Sequence, residues 1–130
     1  MLARAGLLAA ILAVSACIGA GDIFAPEHRL VGRYTLFQTE SGKFKVGGPG
    51  KPAEDAGGYI DGVVDSLGWS ATRLLAWRGR PTFGGDAPGW MIVDIPSGLV
   101  SGPISAEARQ KSPELSRIAV RAAAAVWDDR

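Results

Sequence analysis

Glycine and proline set the first limit on this chain. The 130 residues include 18 Gly and 8 Pro, together a fifth of the total. Glycine carries an entropic cost inside helices and strands, and proline removes an amide donor. Elements built between them are therefore short. They concentrate in Gly47–Gly58 and Gly79–Gly89, two stretches that read as loops. They follow no collagen-like period, and 47% hydrophobic residues are too many for a disordered chain. At this length a single domain is expected.

Between the glycines, apolar residues fall in strand-sized runs. Leu30–Gln38 is the first candidate strand, with Leu30, Tyr34 and Leu36 toward the core. Thr39–Gly42 reads as a turn and Lys43–Val46 as a short return strand. Tyr59–Leu67 is the next strand region, with Gly62 marking a bulge. Gly68–Thr72 turns the chain into a strand at Arg73–Arg78. Trp90–Ile95 is the most apolar strand, and Pro96-Ser97-Gly98 turns it back onto Leu99 and Val100.

The C-terminus changes period. Ser105–Ala108 opens a short helical turn. Ser112-Pro113-Glu114 then offers an N-cap, a proline at the first helical position and an acid in the first turn. Leu115, Ile118, Ala119, Ala122 and Val126 recur at helical spacing, which predicts one helix reaching about Trp127 with a single apolar stripe. The expected class is α+β: an antiparallel meander of about four to six strands with a C-terminal helix packed on one face.

The N-terminus reads as an export signal. Met1–Arg4 carry one positive charge, and no charged residue follows until Asp22. The strongly apolar part, Leu7–Val14, is far shorter than the about 20 residues needed to span a bilayer. The only Cys closes this run, in Val14-Ser15-Ala16-Cys17. That tetrapeptide resembles the lipobox of bacterial lipoproteins: an aliphatic residue, two small ones, then Cys. The resemblance implies cleavage before Cys17, a diacylglycerol thioether on its sulfur and a further acyl chain, such as palmitate, on the new amino group. One acyl chain anchors only marginally, whereas two or more hold stably. The organisation implied is a signal peptide over 1–16, the lipidated Cys with a tether over 17–28, and one domain over 29–130. An ordinary secretory signal cut after Ala16 or Ala20, or an uncleaved anchor helix, are the alternatives. In enteric-type lipoproteins an Asp after the lipidated Cys retains the protein in the inner membrane. Ile18 at that place implies the outer membrane, facing the periplasm, in a Gram-negative host.

The charge excludes some partners. With 14 basic and 13 acidic side chains, the chain has no cationic excess for nucleic acid. Removal of Arg4 with the signal leaves the mature part neutral, so its lipids and not its charge would hold it at a membrane. Gly47-Gly48-Pro49-Gly50-Lys51 lacks phosphate-loop spacing, and one Cys cannot build a thiolate metal site. No cofactor is expected.

Candidate chemistry is sparse. His28 is the only His, beside the tether, so no Ser–His–acid or Cys–His system can be assembled without it. Asp61, Asp65 and Asp94 lie in or near strands. Asp61 and Asp65 would share a face on a regular strand, as a carboxylate pair for hydrolysis would require. Asp94, a further candidate for such hydrolysis, would otherwise face solvent on its strand or cap the Pro96 turn through its carboxylate. Trp69, Trp77 and Trp90, with Arg78 and Arg80, form the candidate interaction surface, suited to a carboxylate-rich or carbohydrate-like partner. The reading is a non-enzymatic, membrane-anchored envelope lipoprotein with a binding or structural role and a possible envelope protein partner. In character it is similar to small envelope lipoproteins. Lysozyme-inhibitor lipoproteins are comparable β-rich domains, but they carry extra cysteines that this chain lacks. A small-ligand-binding barrel and a carboxylate-dependent hydrolase are the alternatives.

Overall fold

The computed structural model describes residues 27–52, 57–83, 85 and 87–129. The signal peptide and Cys17 expected from the sequence lie outside these residues. Within them the α+β class holds: antiparallel strands followed by short C-terminal helices. The strands divide between two sheets. β1 (Glu27–Val31), β2 (Tyr34–Gln38) and β3 (Phe44–Gly47) form the first, in that order. β4 (Val64–Trp69), β5 (Arg73–Arg78), β6 (Gly89–Asp94), β7 (Val100–Ile104) and β8 (Arg121–Ala122) form the second, in the order β7-β6-β5-β4-β8.

The run expected as one strand over Leu30–Gln38 is a hairpin. Val31 pairs with Tyr34 across Gly32 and Arg33. Gly32 has φ +55 at the first central position, the backbone that a tight hairpin turn needs and that L side chains resist. The glycine inside the apolar run was the signal. β1 also takes in Glu27 and His28, which the sequence assigns to the tether. Leu30, Tyr34 and Leu36 are buried as expected.

The second strand region also begins later than expected. Residues 57–62 form turns, with Ile60 fully buried, and β4 starts at Val64. The bulge falls at Asp65, between Val64 and Ser66, and not at Gly62. This extra residue lets Val64 and Leu67 both reach the main core.

β5 and β6 are covered on both faces. Leu74, Ala76, Met91 and Val93 point into a core shared with Leu36 and Val46 of the first sheet. Leu75 and Trp90 point the other way, against Leu115 and Ile118. Their sequences are accordingly near-continuous apolar runs, as double burial requires.

The predicted C-terminal helix is broken. α1 (Ala106–Lys111) is capped by the Ser105 hydroxyl, which accepts from the Ala108 amide at 3.0 Å. α2 (Pro113–Ser116) uses Ser112 in the same way, as the sequence indicates. The chain then leaves the helix, and Arg121 and Ala122 pair with Leu67 and Ser66 of β4. Helix returns only as α3 (Ala123–Asp128). The apolar stripe is thus split. Leu115 and Ile118 cover one face of the sheet, while Val126 and Trp127 enter the core on the other. Ala119 and Ala122 are exposed. Continuous helix would leave the edge of β4 unpaired at this place, and exposed edges carry unsatisfied backbone groups. Gly68 permits the exchange: a Cβ there would stand 2.1 Å from the Ala119 carbonyl oxygen.

Gly68→Ala should therefore push the C-terminal segment off β4 and destabilise the protein by about 1–3 kcal/mol, as overpacking does. Urea unfolding checks this. Gly85→Ala, whose Cβ would meet nothing within 4 Å, should leave the midpoint almost unchanged.

Candidate functional site

The three candidate acids do not form one site. Asp61 lies in the turn before β4 and accepts from the Thr82 and Phe83 amides, each at 3.0 Å. It fastens Thr82 and Phe83, of which Phe83 is 63% exposed. Asp65 is exposed at the β4 bulge. The expectation that Asp61 and Asp65 share a strand face fails, because Asp61 precedes the strand and a bulge intervenes. Asp94 ends β6 next to Arg73, its register partner on β5 and its ion-pair partner. That is the opposite end of β5 from Arg78, which pairs with Val64 beside the bulge.

Asp94 caps the following turn as the sequence suggests. Its carboxylate accepts from the Ser97 hydroxyl and, at 3.2 Å, from the Ser97 amide. The Ser97 hydroxyl is the main influence holding this carboxyl below its ordinary pKa, with the Ser97 amide and Arg73 adding to it and partial desolvation opposing. Among the described residues, no group of three or more His, Cys, Asp or Glu could hold a metal ion. His28 lies half-buried in β1, opposite Leu36.

The candidate Trp and Arg surface is dispersed by strand alternation. Trp69 pairs with Leu74 and so takes the main-core face, while Trp77 pairs with Ser66 and Trp90 on the other. Trp90 is buried, with Trp77 edge-on at 5.4 Å and the Arg109 guanidinium 4.8 Å above its ring. Arg78 is buried too, and donates to the Asp61 carbonyl at 3.3 Å. Trp90 and Arg78 are therefore structural and not surface anchors. Arg80 is exposed and Trp77 half-buried. Trp69 remains accessible at 37% exposure.

Two shallow clefts accompany these residues. One of about 200 Å³ lies between the start of β3 and the β4–β8 edge, with Lys43, Phe44 and Asp65 in its lining. The other, about 140 Å³, is lined by Leu67, Gly68, Trp69, Ala119, Arg121 and Val126. The space between the sheets is filled by Leu36, Val46, Ile60 and Leu67, all fully buried. The sequence did not bring Trp69 and Arg121 into one cleft, because a single helix over this segment leaves Arg121 off the apolar stripe that packs on the sheet.

Tyr34 and Tyr59 form an edge-to-face pair at 5.2 Å, and the Tyr59 hydroxyl donates to the Gly98 carbonyl at 2.6 Å. This ties the first sheet to the turn after β6. Burial, and next the Tyr59 hydroxyl, push the Tyr34 phenol up to about 12.

No protein-family model matches the chain, and neither a curated protein nor a solved structure matches it.

The Tyr34 environment predicts an alkaline limit. The unfolded chain releases this proton near pH ~10, the folded chain only at about 12. Stability from this group is complete below pH ~10 and is lost as pH rises through about 12. Tyr34→Phe should reduce that alkaline loss in thermal melts. The acid side has the opposite sign. The contribution of Asp94 is present above its unfolded value of ~3.9 and is lost as pH falls through its lowered folded value. Asp94→Asn should flatten the acid limb of the same melts.

Proposed function

We propose that this protein is a lipid-anchored component of the bacterial envelope with a non-catalytic binding or structural role. The observation that carries the reading is the register of Arg4, the apolar run Leu7–Val14 and Val14-Ser15-Ala16-Cys17. The charged start, the short apolar segment and the terminal thiol fall where export, membrane cleavage and acylation each need them. Thiol acylation plus amine acylation supplies the multiple chains that stable anchoring requires. In a Gram-negative host, Ile18 directs the protein to the outer membrane, facing the periplasm.

The non-catalytic part is supported by how the acids are used. Asp61 is committed to the Thr82 and Phe83 amides, and Asp94 to Ser97 and Arg73. A general acid or base needs reach to a substrate proton, and these two carboxylates already serve amides and a guanidinium.

Metabolic labelling with a tagged palmitate in a bacterial host tests the anchor. The natural chain should take up label and sediment with membranes. Cys17→Ala should take up none and accumulate at precursor length. Equal labelling of both would sink the proposal.

A further inference from the structure

Trp69 stands out among the indoles. Trp90 and Trp127 are buried and Trp77 is half-buried, but Trp69 closes β4 with more than a third of its surface open. An indole left this accessible forgoes stabilisation that the adjoining core would provide. It lines the cleft of about 140 Å³, where Gly68 and Ala119 contribute little more than backbone. Sites for drug-sized ligands run to roughly 300–1,000 Å³, so this cleft seats one ring.

Arg121 lines the same cleft, and Asp129, outside its lining, is the ion-pair partner of Arg121. Its Nη2 donates to the Asp129 carboxylate and, at 3.5 Å, to the Ala125 carbonyl. The side chains of Arg121 and Asp129 remain 52% and 61% exposed. Ion pairs this open contribute little to stability. This one does place a fork of N–H donors beside a carboxylate acceptor. Vicinal hydroxyls call for that combination, because one accepts from the guanidinium while its neighbour donates to the carboxylate. The C–H face of the same sugar ring is apolar and stacks on an indole. The pair carries no net charge, and an anion approaching Arg121 also meets Asp129.

We infer that this cleft binds a neutral pyranose sugar, stacked on Trp69 with its hydroxyls turned to Arg121 and Asp129. This gives the binding role proposed above a ligand class and a place. It rests on that reading only for the existence of a binding role, and is independent of the lipid anchor.

The test titrates the full-length chain in a zwitterionic detergent free of sugar headgroups. Methyl β-glucopyranoside and N-acetylglucosamine are the neutral probes, and glucuronate and inorganic phosphate the anionic ones. Heteronuclear NMR follows the Trp69 indole N–H and the Arg121 side chain. The neutral sugars should shift both resonances saturably, and Trp69→Ala should weaken binding by about tenfold or more. Trp69→Phe should keep most of the affinity, and the anions should bind more weakly than the neutral sugars. The inference is overturned if no saturable shift occurs up to ~100 mM sugar, if Trp69→Ala binds as well as the natural chain, or if the anions bind as tightly. Circular dichroism establishes that each variant is folded. Should Trp69→Ala unfold, Arg121→Gln must still lose affinity, or the inference falls. Titrating Cys17→Ala in parallel separates the two proposals: it should bind sugar like the natural chain, a natural chain that binds sugar without acylation refutes only the anchor, and a natural chain that is acylated without binding sugar refutes only this site.

Discussion

Strands β5 and β6 carry large apolar side chains on both faces, and neither face can be left to water. Leu74, Ala76, Met91 and Val93 demand one cover, while Leu75, Trp77, Trp90 and Ile92 demand another. The first sheet and α3 meet the first demand. The second is met by Leu115 and Ile118, with Arg109 stacked on Trp90. A three-layer arrangement follows from two strands of the sequence, because burial of this much apolar surface is the dominant favourable term in folding.

That double demand explains the C-terminus. One continuous helix has a single apolar stripe and can serve only one face. The chain instead breaks after α2, crosses the edge of β4 as β8 and resumes as α3 on the other side. Crossing there also gives the Ser66–Leu67 edge its hydrogen-bonded partner. The Arg109 guanidinium holds the crossing from the far side, donating to the Ile118 carbonyl at 2.8 Å while its face covers Trp90. Gly68 is the point at which this route becomes sterically open. The cleft beside Trp69 is a by-product of the same crossing, since Ala119, Arg121 and Val126 reach it only by this path.

The turns and most of the strands were legible from local chemistry. β3, β5, β6, the Pro96-Ser97-Gly98 turn and the Ser112 cap lie where alternation, glycine and capping residues put them. The first hairpin was hidden because a two-residue turn leaves the apolar run almost unbroken, and only Gly32 betrays it. The division into two sheets was hidden because a meander of strands looks the same in sequence whether it forms one layer or two. The candidate surface failed for a similar reason: clustering in sequence placed Trp77, Arg78 and Arg80 together, yet strand alternation sends neighbours to opposite faces.

The sequence by itself determined the class of the fold, the places where the chain turns and the register of Cys17 against the apolar N-terminal run. These depend on residues close in the chain, whose backbone preferences and spacing act locally. Only the tertiary structure decided that Asp61 is held by the Thr82 and Phe83 amides, that Asp94 pairs with Arg73, that Arg78 and Trp90 are buried, and that Trp69 and Arg121 line one cleft. Those outcomes depend on contacts across distant segments. Helix propensity, worth tenths of a kcal/mol per residue, yields over residues 117–122 to the pairing of a strand edge and the cover of two sheet faces, and helix resumes at Ala123.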